Sequence, residues 1–303
     1  MAILHMLVGV AGCGKSTFAR DLCLEFSYLG REIDVYSSDA LRLELYGDEN
    51  DQTHNTEVFE ELHKRMLAAL KEGKDVIYDA TNLTAKDRMK FLKKIPENWN
   101  VTKHCYILPI SYEEAVKRQD LRERKVPAEV IKRQMCKFQT PWFHEGWNHI
   151  SVQHGYFHDE IDLDEILSDN WFMSHDNPNH AHTIGTHCWV AMQYASAMGY
   201  NSAVQDAAKY HDIGKFFTKD FKDSRGDPSE IAHFYGHQNY GAYLVLMKDF
   251  ASGTWNLKLS ALICYHMEEF LRKNKVDKFY ESLKDEDLVR DLKLLHECDL
   301  AAH

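Results

Sequence analysis

The sequence predicts an α/β domain with a parallel sheet flanked by helices over residues 1–155, followed by an all-α domain over residues 156–303. Three observations point to this division. In the first half, apolar runs of strand length alternate with longer helical patterns, the signature of βαβ units. A glycine-rich turn joins the first such run to the first helical pattern. Past about residue 150 the strand signals fade and helical periodicity dominates. The length of 303 residues agrees with two domains of about 150 residues each.

Taken in order, strands are expected at 3–10, 33–37, 76–79, 101–108 and 150–153. The first is apolar but has no basic segment before it and runs straight into the glycine-rich turn, so it reads as a buried strand and not as a secretion leader. Helices are expected at 16–27, 56–71 (stopped by Gly73), 85–94, 112–122 and 128–136. After a Trp-containing stretch at 141–147, further helices are expected at 187–198, 202–211, 229–248, 257–273 and 285–301. The join between domains belongs in 154–168, where the chain turns polar and acidic.

Hydrophobic residues at 44% and charged residues at 27% describe a globular chain and exclude a disordered one. With 36 Lys+Arg against 47 Asp+Glu, the net charge of −11 excludes the overall basic surface of a bulk nucleic-acid binder. The balance is uneven: residues 1–150 hold 22 basic and 23 acidic side chains, residues 151–303 hold 14 and 24. Twelve of the 18 histidines fall in the second part, and histidine is the commonest metal-ligand side chain. Seven scattered cysteines without a CxxC pair argue against a disulfide framework and for a reducing cytoplasm. No apolar stretch approaches membrane-spanning length, so no membrane partner is expected.

Gly9-Val10-Ala11-Gly12-Cys13-Gly14-Lys15-Ser16 fits GxxxxGK[ST] between a strand and a helix, the context of a phosphate-binding loop. Glycines let backbone amides turn around the phosphates of an NTP, the helix N-terminus adds positive potential, Lys15 supplies a charge, and Ser16 can ligate Mg²⁺. Gly12, Cys13, Gly14, Lys15, Ser16 and Thr17 are therefore the expected nucleotide contacts. Asp39, at the carboxyl end of the second strand, is placed as a general base toward an acceptor hydroxyl, with Arg42 on an acceptor phosphate. A helix N-cap at Asp39 with Arg42 as a surface partner is the alternative. Asp79, Asn82 and Arg88 follow the third strand and are expected at Mg²⁺ or the acceptor, or simply in a turn. Residues 117–137 carry eight basic and three acidic side chains, and Arg118 and Arg122 share a helix face. That composition suits a lid closing arginines over a triphosphate, or else a solvated helix face.

GVAGCGKST, SSDALR, YDATNL and VKRQDLRERKVP together closely resemble the kinase domain of phage-type polynucleotide kinases, over about residues 1–150. The resemblance implies that Lys15 and Ser16 bind ATP or GTP with Mg²⁺, that Asp39 is the base toward a 5′-hydroxyl, that Arg42 contacts the acceptor phosphate, and that Arg122, with Arg118 nearby, belongs to the lid. P-loop kinases of small metabolites share parts of this pattern. Asp162-Leu163-Asp164-Glu165-Ile166 lacks the DxDG[TV] ending, so the phosphatase those enzymes often carry is not expected.

The second half reads His187, His211-Asp212-Ile213-Gly214-Lys215, His233, His237, His266 and Asp299. His and Asp suit Zn, Mn, Fe, Co or Ni, and a carboxylate beside a histidine can bridge two ions. Each of these groups is expected on a separate helix, which is how a bundle converges ligands on one point. The order resembles the HD phosphohydrolase superfamily over about residues 175–303. Asn177-Pro178-Asn179-His180, Thr183-Ile184 and Tyr235-Gly236-His237 are similar to the HD domains of bacterial CCA-adding tRNA nucleotidyltransferases. The resemblance implies one metal on His187, His211, Asp212 and Asp299, a second completed by His237 and His266 with His233 as a further participant, and Lys215 beside the substrate phosphate. His180 and His182 read as ordinary side chains, and His296 and His303 as surface residues.

Both resemblances lead to one expectation: a bifunctional RNA end-healing enzyme. Its kinase would phosphorylate 5′-OH ends, and its HD domain would remove a 2′,3′-cyclic phosphate or 2′-phosphate. The substrate would be RNA ends, tRNA among the candidates, handed to an RNA ligase acting in trans. Two other readings stand beside it: a small-molecule kinase fused to a nucleotidase, and an ATP-switched regulatory module without catalysis.

Overall fold

The computed structural model describes residues 1–122, 125–153, 161–178, 181–248 and 253–303; the first residues of the expected domain join, together with Glu123, Arg124, Asn179 and His180, lie outside them. The chain divides into two compact units, one of Met1–Pro127 with Pro141–Tyr156 and one of Ala128–Thr140 with Phe157–His303.

The first unit is built on a five-stranded sheet in the order β2-β3-β1-β4-β5, with every pairing parallel. Its strands are β1 (Ile3–Val8), β2 (Ile33–Ser37), β3 (Asp75–Asp79), β4 (Thr102–Ile107) and β5 (His149–Val152). β1 sits in the centre, and Leu4, Met6, Leu7 and Val8 are fully buried, which is why it reads as a continuous apolar run and not an alternating one. From β1 the chain goes out to β2 and returns through β3, then crosses to β4 on the other side. That reversal beside β1 opens a crevice at the carboxyl ends of the strands.

Helices α1 (Lys15–Tyr28), α2 (Ser38–Tyr46), α3 (Asn55–Lys71), α4 (Ala85–Leu92) and α5 (Tyr112–Asp120) make the connections. α2 begins directly after β2, so a helix does start beside Asp39, but with Ser37 and not Asp39 as its N-cap. Ser37 starts it by accepting a hydrogen bond from the Ala40 amide, as Thr84 and Ser111 do for α4 and α5.

Arg88 is 0% exposed and makes a bidentate pair with Glu145 at 2.6 and 2.7 Å, while its Nη1 also donates to the carbonyls of Asn82 and Leu83. The Trp147 indole N–H donates to the same carboxylate at 3.0 Å. This corrects the expectation of a substrate role for Arg88: its charge is spent inside the unit.

The second unit comprises α6 (Ala128–Met135), α7 (Leu163–Asp169), α8 (Ile184–Ala197), α9 (Ser202–Tyr210), α10 (Lys215–Thr218), a hairpin of β6 (Asp220–Lys222) and β7 (Pro228–His233), α11 (His237–Val245), α12 (Gly253–Tyr265), α13 (Glu268–Arg272), α14 (Val276–Leu283) and α15 (Glu286–Ala301). The helix expected at 229–248 therefore begins with a strand, and its helical part starts only at His237. Gly236, at φ +77°, ends the strand segment and starts α11, so the domain is helical but not wholly so. The helix expected at 257–273 breaks after Tyr265, and α7 and α14 are additional.

The segment 128–140, expected with the kinase half, packs in this unit. Asn239 donates to the Cys136 carbonyl at 2.9 Å, Thr140 and Ser260 share a hydroxyl bond of 2.7 Å, and the Phe138 and Tyr243 rings meet edge to face at 5.0 Å. A Cβ at Gly236 would lie 2.6 Å from the Cys136 carbonyl, so this approach requires glycine. The basic run at 117–137 is thus divided, with Lys132 and Arg133 on α6 outside the first unit.

Candidate phosphate cradle and metal centre

In the first unit, the chain leaves β1 at Val8 and re-enters regular structure at Lys15. A Cβ at Gly9 would come within 2.5 Å of Cys13 Sγ and 2.9 Å of the Leu108 carbonyl. Gly12 and Gly14 hold φ near +87° and +88°. Gly14 is the N-cap of α1 and offers no side-chain cap, so the first-turn amides and the positive end of the helix face the turn. Lys15 Nζ donates to the carbonyls of Gly9 and Val10 at 3.0 and 2.8 Å, folded along the loop it would serve, and Cys13 is buried with its sulfur 3.6 Å from that ammonium. Ser16 and Thr17 are exposed.

Ser16 Oγ donates to Asp79 Oδ2 at 2.9 Å. A hydroxyl in the first turn of α1 and a carboxylate at the end of β3, held together, form the hard-oxygen pair that suits Mg²⁺.

Asp39 lies in the first turn of α2 with its side chain 49% exposed, and Arg42 Nη1 donates to it at 2.7 Å. Arg42 itself is 5% exposed, and its Nη2 donates to Asn55 Oδ1 at 2.8 Å. The guanidinium therefore orients Asp39. Asn82, at φ +46°, donates its amide to the Leu7 and Ala80 carbonyls, which makes it the turn residue and corrects the acceptor role expected for it. α5 stops at Asp120, so Arg122 lies beyond the helix and does not share a face with Arg118, whose Nε donates to Glu114 at 2.8 Å.

In the second unit, His187 projects from α8, His211 and Asp212 follow α9, His237 begins α11, His266 follows α12 and Asp299 lies in the last turn of α15. All are between 0% and 6% exposed. The two oxygens of Asp212 divide the histidines. Oδ2 lies 3.6 Å from the Nε2 atoms of both His187 and His211, and Oδ1 lies 3.3 and 3.8 Å from those of His237 and His266. Asp299 Oδ1 adds contacts of 3.0 and 3.6 Å to the first pair. His187, His211 and Asp212 form one group able to hold a metal ion, and Asp212, His237 and His266 form another.

Each Nδ1 makes a hydrogen bond to a backbone carbonyl: His187 to Ala302, His211 to Ala208, His237 to Phe234 and His266 to Ile263, at 2.7–3.2 Å. A carbonyl only accepts, so Nδ1 carries the proton and Nε2 presents a lone pair. The Nε2 atoms then face each other at 3.1 Å (His187 and His211) and 3.3 Å (His237 and His266). Lone pairs so placed repel unless a proton or a metal ion lies between them, and imidazole nitrogens with carboxylates are a donor set that fits divalent ions.

In the cage without an ion, a proton on His211 takes that place. Burial opposes charge on His211, yet the carboxylates of Asp212 and Asp299 lift its pKa to about 9. Burial likewise disfavours the Asp212 carboxylate, but Lys215 and His211 hold it well below the usual range. Burial holds His266 neutral, down to about 3.

Lys215 is 6% exposed and 2.6 Å from Asp212 Oδ2. His233 instead bonds Ser229 and stacks on Tyr235, apart from both ligand groups, and His182 is exposed. Two residues that the sequence did not single out join the site. His303, read as a surface residue, lies 3.4 Å from Asp299 Oδ1 and packs edge to face on His187. His175 meets Lys215 at 3.3 Å. His296 is half-buried against Phe270.

A parallel sheet with a glycine-rich turn after its first strand and a helical unit with a buried histidine and aspartate cluster match two known domain classes. Residues 4–141 match the family model of the AAA domain and residues 184–301 that of the HD domain, so the chain carries a kinase domain of AAA type at its N-terminus and an HD domain at its C-terminus. These domains imply nucleotide and divalent-metal use.

Among solved structures, the chain is similar to one from the Pnkp1/Rnl/Hen1 RNA repair complex, at 26% identity over 44% of this chain and 42% of that one, with a TM-score of 0.37. A fungal RNA kinase matches at 14% identity over 55% and 84%, TM-score 0.38, and a gluconokinase from Sinorhizobium meliloti 1021 at 15% over 49% and 81%, TM-score 0.34. The match spans about two fifths of the length of the RNA-repair chain. Among the described residues, no helix is long and apolar enough to cross a membrane.

Proposed function

We propose that the chain heals RNA ends: its kinase domain transfers a phosphoryl group from ATP or GTP to a 5′-OH, and its HD domain removes a 2′,3′-cyclic phosphate or 2′-phosphate. What carries the reading is the pairing of two phosphate sites in one chain, the loop at Lys15 with Ser16 and Asp79, and the cage around Asp212. Ribonuclease cleavage leaves a 5′-OH on one side and a 2′,3′-cyclic phosphate on the other, so the two sites would act on opposite ends of one break. The sequence resemblances to phage-type polynucleotide kinases and to HD domains of tRNA nucleotidyltransferases support the same substrate class.

In the kinase site, the amides at the start of α1 and Lys15 would hold the donor phosphates, and Ser16 with Asp79 would hold Mg²⁺. Asp39, oriented by Arg42, would take the proton of the attacking hydroxyl. Arg118 and Arg122 would meet the charge of the transferred group. In the HD site, His187, His211, Asp212 and Asp299 would hold one ion and Asp212, His237 and His266 the other. Such ions, whether Mn, Ni, Co, Fe or Zn, supply activation of water and charge stabilisation when bound. Lys215 would donate to a phosphoryl oxygen of the substrate. An RNA ligase acting in trans would seal the products, and the seven free cysteines fit work in a reducing cytoplasm.

The test is a paired assay on RNA carrying 5′-OH and 2′,3′-cyclic phosphate ends. Lys15→Ala is expected to abolish label transfer from ATP and spare phosphate removal, and Asp212→Ala the reverse. One substitution abolishing both reactions would overturn the assignment of one reaction to each domain. Free nucleosides or sugars outcompeting oligonucleotide as acceptors would favour a small-molecule kinase.

A further inference from the structure

His175 lies ahead of residues 184–301, which match the HD domain, in the loop between α7 and α8. It is 1% exposed. The loop that carries it is pinned on both sides: Lys219 Nζ donates to the Ser174 carbonyl and to Asp176 Oδ2 at 2.5 and 2.6 Å, and the Ala232 amide donates to the Asp176 carbonyl at 2.9 Å.

The His175 ring has one arrangement of protons compatible with its partners. Nδ1 lies 2.9 Å from the His182 carbonyl, which only accepts, so Nδ1 is the N–H and Nε2 the lone pair. That lone pair faces Lys215 Nζ at 3.3 Å. The ammonium thus donates to Nε2 on one side and to Asp212 Oδ2, at 2.6 Å, on the other. Phe234 covers it, with the ammonium 5.5 Å from the ring centroid and the His175 ring edge to face on the same phenyl.

We infer that His175 is a positioning residue: it fixes Lys215 between Nε2 and Asp212, so that a third N–H remains for a phosphoryl oxygen. A lysine side chain is flexible, so an ammonium held at two points costs less to bring to substrate than a free one.

The inference rests on the proposed role of Lys215 at the substrate phosphate. It is tested on the full chain loaded with Mn²⁺ and given an RNA oligonucleotide ending in a 2′-phosphate, comparing His175→Phe, His175→Gln, Lys215→Ala and His175→Phe/Lys215→Ala. His175→Phe keeps an aromatic ring without an acceptor, and His175→Gln restores an acceptor oxygen. The expected result is that His175→Phe lowers kcat/KM about tenfold, that the double variant is no worse than Lys215→Ala, and that His175→Gln recovers most of the loss. Bound manganese per chain, measured by elemental analysis, is expected to be equal in wild type and His175→Phe, which separates positioning from damage to the cage.

Additive losses in the double variant, or a fall in bound manganese, would overturn the positioning role. A His175→Phe variant as active as wild type would overturn it while leaving Lys215 intact as a substrate contact. A fully active Lys215→Ala variant would instead overturn the role of Lys215 itself, and that of His175 with it.

Discussion

Ser16 and Asp79, 63 residues apart in sequence, are joined by a hydrogen bond of 2.9 Å where β1 and β3 end side by side. A carboxylate that holds a metal-binding hydroxyl should matter more for Mg²⁺ than for the nucleotide base. Asp79→Asn is therefore expected to raise the Mg²⁺ concentration needed for half-maximal kinase activity roughly 10–100-fold. Equilibrium binding of ATP without metal should change little, and a Mg²⁺ titration of the initial rate checks both.

Arg88 and Glu145 form a fully buried pair in which each charge depends on the other. Arg88→Met leaves a carboxylate without its counter-ion and is expected to cost about 3–5 kcal/mol of stability. The double change Arg88→Met/Glu145→Leu should recover much of that loss, because no charge is then stranded. Urea unfolding of the three proteins measures the difference.

The first unit also buries two histidines whose pKa values fall far below the ordinary 6.5. Burial, with the neighbouring His104 and Arg31, takes His5 to about 3, and burial beside Lys94 and Lys90 takes His63 to about 4. Both are neutral when folded and take up protons more readily when unfolded. Their contribution is complete above about pH 6.5 and is lost as pH falls toward 4, at about 1.4 kcal/mol per pH unit for each. The melting temperature is expected to fall between pH 7 and pH 5, and His63→Phe, if it folds, should flatten that slope.

Metal removal is expected to act on stability as well as on activity. Four Nε2 lone pairs and two carboxylates meet in the cage around Asp212, so an ion that binds the folded form only adds about 2.7 kcal/mol at 100 times its dissociation constant. Scanning calorimetry should show a melting transition that a chelator lowers and Mn²⁺ restores. In Asp212→Ala that transition should no longer respond to either.

Local patterns were legible in the sequence because their meaning is local. The turn at residues 9–16 needs glycines at fixed offsets between a strand and a helix, and His211-Asp212 needs only two adjacent ligands. Long-range satisfaction was not legible. Arg88 at a strand end looks the same whether it faces a ligand or Glu145, and only the fold brings that carboxylate to it across 57 residues. His175 has no periodic context, and its partner Lys215 is 40 residues away. The strand at 228–233 was missed for a related reason: SEIAH carries helix formers, and its pairing with β6 outweighs that preference.

The excursion of residues 128–140 bears on how this protein can be dissected. The chain leaves the first unit at Pro127, contributes α6 to the second, and comes back at Pro141 to supply Glu145 and β5 before leaving again. A single cut therefore cannot yield two whole halves. Ending a kinase fragment at residue 127 deprives Arg88 of Glu145 and the sheet of an edge strand. Ending it near residue 155 keeps both but carries off Phe138 and Thr140, the partners of Tyr243 and Ser260. Separated domains would need either two breaks, with a linker replacing 128–140, or co-expression of overlapping pieces.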